Sequence, residues 1–359
     1  MKKSYFIETY GCQMNVHDTE KISGILNGLG YSLAEDEKNA DLVLLNTCSV
    51  REKAAQKVFT RLGQLKKLKI GKPGMTIGVC GCLAQQEGDL FFKNRPYVDV
   101  VFGPRNVGEL PSILSQLENE RHQLLALSGP RQEPTFEVDT VLRDSEFKAY
   151  ITIMEGCDKF CTFCVVPFTR GREVSRDPYS ILLEARKLAD HGYLELCLLG
   201  QNVNSYRYED FDFADLLCSL NAIPGIKRIR YTSPHPTDIN KKVMDLYAEL
   251  PKLCPNLHLP LQAGSNDVLN KMKRDYTREM YLSKVEYLRR MRPEIALSTD
   301  IIVGFPGETE EDFQHTLDVV KSVEFASIFS FKYSPRKFTA ALKMGDEIPE
   351  DEKSERLTR

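Results

Sequence analysis

Short apolar runs alternate with helix-periodic stretches along the chain, first over about 100 residues and again, after a break, from Lys148 onward. In the first block, Tyr5 to Thr9, Leu42 to Leu45, Thr76 to Val79 and Val98 to Phe102 are strand-like. The pattern predicts a helix between the first two, starting near Asp18 as its N-cap. It carries Ile22, Ile25, Leu26 and Leu29 at helical spacing, and Gly30 suits its C-terminal cap. Further helices are predicted from Arg51 to Lys69 and near Gln85 to Phe92. Alternation of this kind builds a parallel sheet covered on both faces, so residues 1–119 are expected to form a three-layer α/β/α domain.

Residues 120–142 include Ser128-Gly129-Pro130-Arg131-Gln132-Glu133-Pro134, turn-rich and without periodicity, and read as a linker. Residues 143–359 resume the alternation. Strands are predicted at Ala149 to Met154, Leu194 to Leu199, Lys227 to Tyr231, Asn256 to Leu259, Ala296 to Ile302 and Ser327 to Phe331. Helices are predicted at Pro178 to Asp190, Phe213 to Leu220, Thr237 to Leu250, Arg278 to Met291 and Thr309 to Val323. Such a run falls short of a closed eight-unit barrel and fits a partial (β/α)6 TIM-like barrel, with functional loops at the C-terminal ends of its strands. The acidic stretch Gly345 to Arg359 reads as a solvated terminus ending in a helix.

A net charge of -3 means that nucleic-acid contact has to come from a local patch. The helix-periodic stretch from Arg51 to Lys72 offers one: Arg51, Lys53, Lys57, Arg61, Lys66, Lys67, Lys69 and Lys72 against Glu52, eight minus one, or +7. Such a strip can neutralise phosphates, or it is simply a solvated helix face. The amino terminus lacks a signal-peptide apolar core, and no run approaches the ~18 apolar residues of a membrane span. A cytoplasmic protein without membrane attachment is therefore expected.

The chain has 10 cysteines and is too long to need a disulfide scaffold, which directs attention to metal or catalysis. Cys157, Cys161 and Cys164 lie in one loop after the first barrel strand. Chance places three cysteines at a fixed spacing roughly 0.008 times in such a chain. Structural zinc wants four ligands, whereas three thiolates on a 4Fe-4S cluster leave one iron open to a small molecule. Zinc completed from elsewhere is the alternative. A second trio is Cys12, Cys48 and Cys82, each just after one of the first domain's strands, whose C-terminal ends share one edge of a parallel sheet. Cys80, Cys197, Cys218 and Cys254 fall within strand or helix patterns and are expected to be small buried residues.

The Cys157-Asp-Lys-Phe-Cys161-Thr-Phe-Cys164 spacing, with Phe163 before the last cysteine, resembles the radical S-adenosylmethionine (SAM) enzymes. The resemblance implies that the open iron binds the amino and carboxylate groups of SAM's methionine part. Reductive cleavage of the sulfonium then gives a 5′-deoxyadenosyl radical, with the hard chemistry carried by the cofactors. Besides Phe163, the barrel loops place Gln201, Ser233, Gln262 and Asp300 near SAM.

With Tyr10-Gly-Cys-Gln-Met-Asn15 and Asn46-Thr-Cys-Ser-Val-Arg-Glu52 added, almost the whole chain resembles the methylthiotransferases, in particular their tRNA branch. That implies a transferase adding a methylthio group to C2 of N6-isopentenyladenosine next to the anticodon in tRNA. One SAM would serve as methyl donor and another as radical source. Cys12, Cys48 and Cys82 match the ligands of an auxiliary 4Fe-4S cluster, and Cys157, Cys161 and Cys164 those of the radical SAM cluster. Arg51, Arg170 and Arg172 are candidates for substrate contact. The partners implied are tRNA carrying N6-isopentenyladenosine and an external electron donor such as flavodoxin or ferredoxin, with the chain acting as a monomer.

The family usually ends in a small RNA-binding β-barrel, TRAM, absent from these residues. The loop Tyr333-Ser-Pro-Arg-Lys-Phe-Thr339 has Lys337 and Phe338 where the family has Pro-Gly. Competing readings are methylthiolation of threonylcarbamoyladenosine or of a ribosomal-protein aspartate, an iron–sulfur electron carrier or redox regulator, and a zinc-stabilised RNA-binding module.

Overall fold

A computed structural model describes residues 3–49, 52–120, 122–129, 132–136, 141–345 and 348–359. The chain divides into two compact units, one comprising residues 1–144 with 166–172 and the other 145–165 with 173–359.

The first unit is built on β1 (Ser4–Tyr10), β2 (Ser32–Leu33), β3 (Leu42–Thr47), β4 (Thr76–Gly81), β5 (Val100–Phe102) and β6 (Leu124–Ala126). They form one parallel sheet in the order β2-β1-β3-β4-β5-β6. Its helices are α1 (Gln13–Gly28), α2 (Glu52–Gly71), α3 (Cys82–Glu87), α4 (Leu90–Asn94), α5 (Leu110–Glu120) and the short α6 (Val166–Thr169). Both faces of β3 are buried, as in any covered parallel strand. Val43 and Leu45 pack with Leu62 and Leu65 of α2, while Leu42 and Leu44 pack with Ile22 and Leu26 of α1.

Several boundaries differ from those expected. Leu124–Ala126, inside the stretch read as a linker, pairs with β5 as an edge strand because its short apolar run completes the sheet. The first helix starts at Gln13 rather than near Asp18, with Cys12 as its N-cap, while Asp18 is buried within it. Gly30 does follow the helix with φ +85, a left-handed value that glycine adopts at no steric cost. A turn through Gly88 splits the expected 85–92 helix into α3 and α4.

In the second unit β7 (Lys148–Thr152) leads into a small hairpin of β8 (Met154–Glu155) with β9 (Val174–Ser175). Then come α7 (Pro178–Asp190), β10 (Glu195–Leu199), the hairpin β11 (Arg207–Tyr208) with β12 (Phe211–Asp212), α8 (Phe213–Asn221), β13 (Arg228–Tyr231) and α9 (Lys241–Glu249). The unit continues through β14 (Asn256–His258), α10 (Asn266–Lys271), α11 (Arg278–Met291), β15 (Ala296–Val303), α12 (Glu310–Val323), β16 (Ser327–Lys332) and α13 (Glu350–Thr358). Parallel sheets β13-β10-β7 and β14-β15-β16 are joined by a parallel bridge between Ile229 and Leu253. Six strands thus run in chain order as the expected partial barrel, wrapped by helices over one continuous apolar core.

The terminus is not simply solvated. In α13, Lys353 and Arg356 are buried, and Arg356 pairs with the buried Glu308 at 2.7 Å. Among the described residues no helix is long and apolar enough to cross a membrane.

Two cysteine trios as candidate metal centres

Parallel register aligns Tyr10 with Thr47 and Thr47 with Gly81, so β1, β3 and β4 end at the same level. Cys12, Cys48 and Cys82 each follow one of those ends by a residue or two. Cys12 caps α1 and Cys82 opens α3, while the Cys48 amide donates to the Tyr10 carbonyl at 2.8 Å.

Two fully buried asparagines hold this edge together. Asn15 accepts from the Cys12 amide and donates to Asn46 Oδ1 at 3.1 Å, while Asn46 donates to the Asn15 carbonyl and Thr19 Oγ1. The fit leaves no room for side chains at two glycines. A Cβ on Gly11 would stand 2.2 Å from Asn15 Oδ1, and one on Gly81, where φ is +89, 2.5 Å from Asn46 Oδ1.

Cluster ligation needs thiolates, and the electrostatics here provide for one directly. A hydrogen bond from Cys48 overcomes burial and, with the charge of Arg170, brings the Cys12 thiol down to about 6. Burial raises Cys82, opposed by Arg170, whose Nε stands 3.3 Å from the Cys82 sulfur. Arg170 is itself buried and pairs with Asp18 at 2.5 Å. Arg170, a candidate for substrate contact from the sequence, thus engages Cys82 and Asp18 inside the first unit through Nε and Nη2. Arg172 is exposed, and its carbonyl accepts from Arg105 at 3.1 Å. Arg51 lies outside the described residues.

The second trio sits in the loop after β8. This loop is tied down by Gly156 donating to Gln201 Oε1, Thr162 donating to the Lys271 and Met272 carbonyls, and Cys164 donating to the Cys161 carbonyl. Phe163 meets Phe305 edge to face at 6.4 Å between centroids. Burial pushes the Cys157 thiol up to about 11. Arg274 Nη1 reaches the Cys161 sulfur at 3.4 Å.

Of the residues assigned to SAM, Gln201, Ser233 and Gln262 lie in loops after β10, β13 and β14, whereas Asp300 lies within β15. Among the described residues the buried Nε2 of Gln201 has no hydrogen-bond partner, as a group awaiting a ligand would. Ser233 and Gln262 hold positive φ values of +58 and +72, a backbone conformation non-glycine residues take up only under constraint. Gln262 still bridges to β15 through Asp300 and Ile302. Asp300 faces His258, with Nε2 3.2 Å from its carboxylate.

Of the remaining cysteines, Cys80, Cys197 and Cys254 are buried as expected, but Cys218 is exposed, on the side of α8 turned away from Leu217 and Leu220. In the basic strip, Arg61 pairs with Glu8 and Glu37, Lys69 with Asp99 and Lys72 with Asp41, while among the described side chains Lys57, Lys66 and Lys67 are exposed. Sequence reasoning missed Arg274 and the Asn15–Asn46 pair, whose importance depends on contacts across the fold.

Among the described residues no group of three His, Cys, Asp or Glu is placed to hold a single metal ion. Thiolates on a 4Fe-4S cluster bind separate irons and stand further apart than the ligands of one ion. Two trios with a depressed thiol, arginines on sulfur and an unpartnered amide fit such clusters and a polar cofactor.

Residues 4–103 match a family described as uncharacterized protein family UPF0004, and residues 151–320 match the radical SAM superfamily. The fold resembles the radical S-adenosylmethionine methyltransferase TsrM from Kitasatospora setae. With its 4Fe-4S cluster and cobalamin bound, that structure gives a TM-score of 0.63 at 17% identity, covering 95% of this chain and 74% of that one. Most of residues 151–320 lie in the second unit, which therefore carries most of the radical SAM match.

A protein from Hydrogenobaculum sp. named tRNA-2-methylthio-N(6)-dimethylallyladenosine synthase is 49% identical over 99% of this chain and 82% of its own length. One of the same name from Aquifex aeolicus is 47% identical over 100% of this chain and 82% of its own. The chain belongs to the tRNA-2-methylthio-N(6)-dimethylallyladenosine synthase family, radical SAM transferases that use SAM and 4Fe-4S clusters.

Proposed function

We propose that the protein adds a methylthio group to C2 of N6-isopentenyladenosine next to the anticodon in tRNA, acting as a cytoplasmic monomer with an external low-potential electron donor such as flavodoxin or ferredoxin. Residues 1–119, joined by β6, would form the auxiliary-cluster domain, and 143–359, apart from α6, the radical SAM domain. The observation that carries this reading is the meeting of three strand ends, each followed at once by a cysteine, in a chain that also carries a separate three-cysteine loop.

Cys12, Cys48 and Cys82 would hold one cluster, and Cys157, Cys161 and Cys164 the other. When bound, these clusters and SAM supply the electron, the methyl group and the radical chemistry that no side chain here can provide. The chain's own residues bind and orient. The Asn15–Asn46 pair fixes the Cys12 loop against β3, so the first trio is preorganised by the sheet. Gln201 anchors the second loop through Gly156 and keeps an amide donor for a polar ligand. Phe163 and Phe305 close an apolar wall beside Cys164, which helps exclude water. Ser233 and Gln262, in the loops after β13 and β14, would offer hydroxyl and amide groups to the cofactor, and Asp300 a carboxylate from within β15.

The test is mass spectrometry of tRNA nucleosides after anaerobic incubation of reconstituted protein, SAM, a reductant and isopentenylated tRNA. The 2-methylthio nucleoside is expected. SAM cleaved without that product, on a competent tRNA, would defeat the substrate assignment. Failure to form any 5′-deoxyadenosine would leave an electron carrier as the better reading.

A further inference from the structure

Each trio has an arginine on one of its sulfurs, and the two arginines are balanced differently. Arg170 at Cys82 is neutralised by Asp18. Arg274 at Cys161 is 5% exposed and forms no ion pair among the described residues. Its other bonds run to neutral groups: Nη2 to the Pro260 carbonyl at 3.2 Å and Nε to the Tyr276 hydroxyl at 3.2 Å. Tyr276 is in turn held by the Leu261 carbonyl at 2.6 Å. A buried cation without an acid beside it is costly, so negative charge has to come from the sulfur it touches. A cluster on three thiolates carries such charge, and one-electron reduction adds more.

Resting on the ligand assignment proposed above, we infer that Arg274 is a charge-balancing and positioning residue for the cluster on Cys157, Cys161 and Cys164. Its fixed charge and N–H···S bond favour the reduced state and raise the reduction potential. The electron comes from an external low-potential donor of the flavodoxin or ferredoxin class, and the arginine neither gains nor loses a proton.

The test compares the full chain with Arg274→Gln and Arg274→Lys after anaerobic reconstitution. Iron and sulfide content, circular dichroism and a redox titration followed by electron paramagnetic resonance are measured. The signal belonging to this cluster is recognised as the one that changes when SAM is added. Arg274→Gln, which keeps donors for neighbouring oxygens but loses the charge, is expected to load normally and to shift the midpoint to more negative potential. Arg274→Lys is expected to stay near the parent. A folded Arg274→Gln that loads no cluster while Arg274→Lys does also supports the proposal.

A loaded Arg274→Gln with an unshifted midpoint, or an Arg274→Lys that shifts equally, overturns it. So does an unfolded Arg274→Gln, which would assign the arginine to the fold. If the parent chain itself takes up no SAM-responsive cluster, the ligand assignment fails first.

Discussion

The two cysteine trios are brought together by opposite routes. The first is assembled from three strand ends separated by tens of residues, and its geometry belongs to the sheet register. The second is written into eight consecutive residues and needs only a loop anchored by Gln201 and Thr162. Their electrostatics differ as well. Around Cys12 a hydrogen bond from Cys48 draws the thiol down to about 6, and the nearby cation carries its own counter-charge. In the second trio burial pushes the Cys157 thiol to about 11, and the arginine on Cys161 has no ion-pair partner among the described residues. A site built by topology can therefore be damaged from residues remote in sequence, whereas a site built by one loop is damaged mainly from within it.

The largest expected effect separates the trios by function. Cys157→Ala should abolish SAM cleavage, whereas Cys48→Ala should leave 5′-deoxyadenosine formation intact and lose the methylthio product. Both are read by chromatography of the anaerobic reaction, and product from Cys48→Ala would break the division of labour. Next, Asp18→Asn strips Arg170 of its partner inside the first unit and should cost about 3–5 kcal/mol, measured by chemical denaturation. A loss below about 1 kcal/mol would mean that the pair is not closed as described.

The second unit has its own signature in acid. Burial, reinforced by Arg274, lowers His235 to about 2 from the ordinary 6.5. The unfolded chain therefore binds a proton below pH 6.5 that the folded chain refuses. Stability contributed by this group is present above pH 6.5 and falls as pH drops, by about 1.4 kcal/mol per unit. Denaturation midpoints of the parent and His235→Gln, compared between pH 7 and pH 5, should converge as pH falls. A constant gap would remove His235 as the source.

The smallest effect is at Phe338, exposed and held at φ +68, a value glycine adopts without strain. Relief of about 1–2 kcal/mol, less about 0.5–1 for the freer unfolded glycine, predicts that Phe338→Gly raises stability by about 0.5–1 kcal/mol. A lower melting temperature for this variant would count against strain in the loop.

These contrasts also explain what could be read from sequence. The barrel strands, the α7 and α11 boundaries and the places of the cysteines just after strands followed from periodicity, because that signal is local. Asp18 was misread because its partner is Arg170, 152 residues away, and an isolated aspartate before an apolar pattern looks like a cap. Cys12 was missed as the actual cap because a thiol is a rare one. Leu124–Ala126 is too short to announce itself, and the burial of Arg170 and Arg274 depends on packing that no spacing encodes. Cys218 was placed inside because an apolar helix pattern gave no hint of which residue turns outward.

The ion pair between Arg356 and Glu308 reaches beyond the end of the barrel. Glu308 also accepts from the Gly304 amide at 2.6 Å, so α13 clamps the turn that follows β15. A protease cutting near residue 348 would release this clasp without touching the cysteine loops. The amides of 304–308 would then exchange with solvent sooner than those of β15, loosening one corner of the cofactor rim while both trios stayed in place.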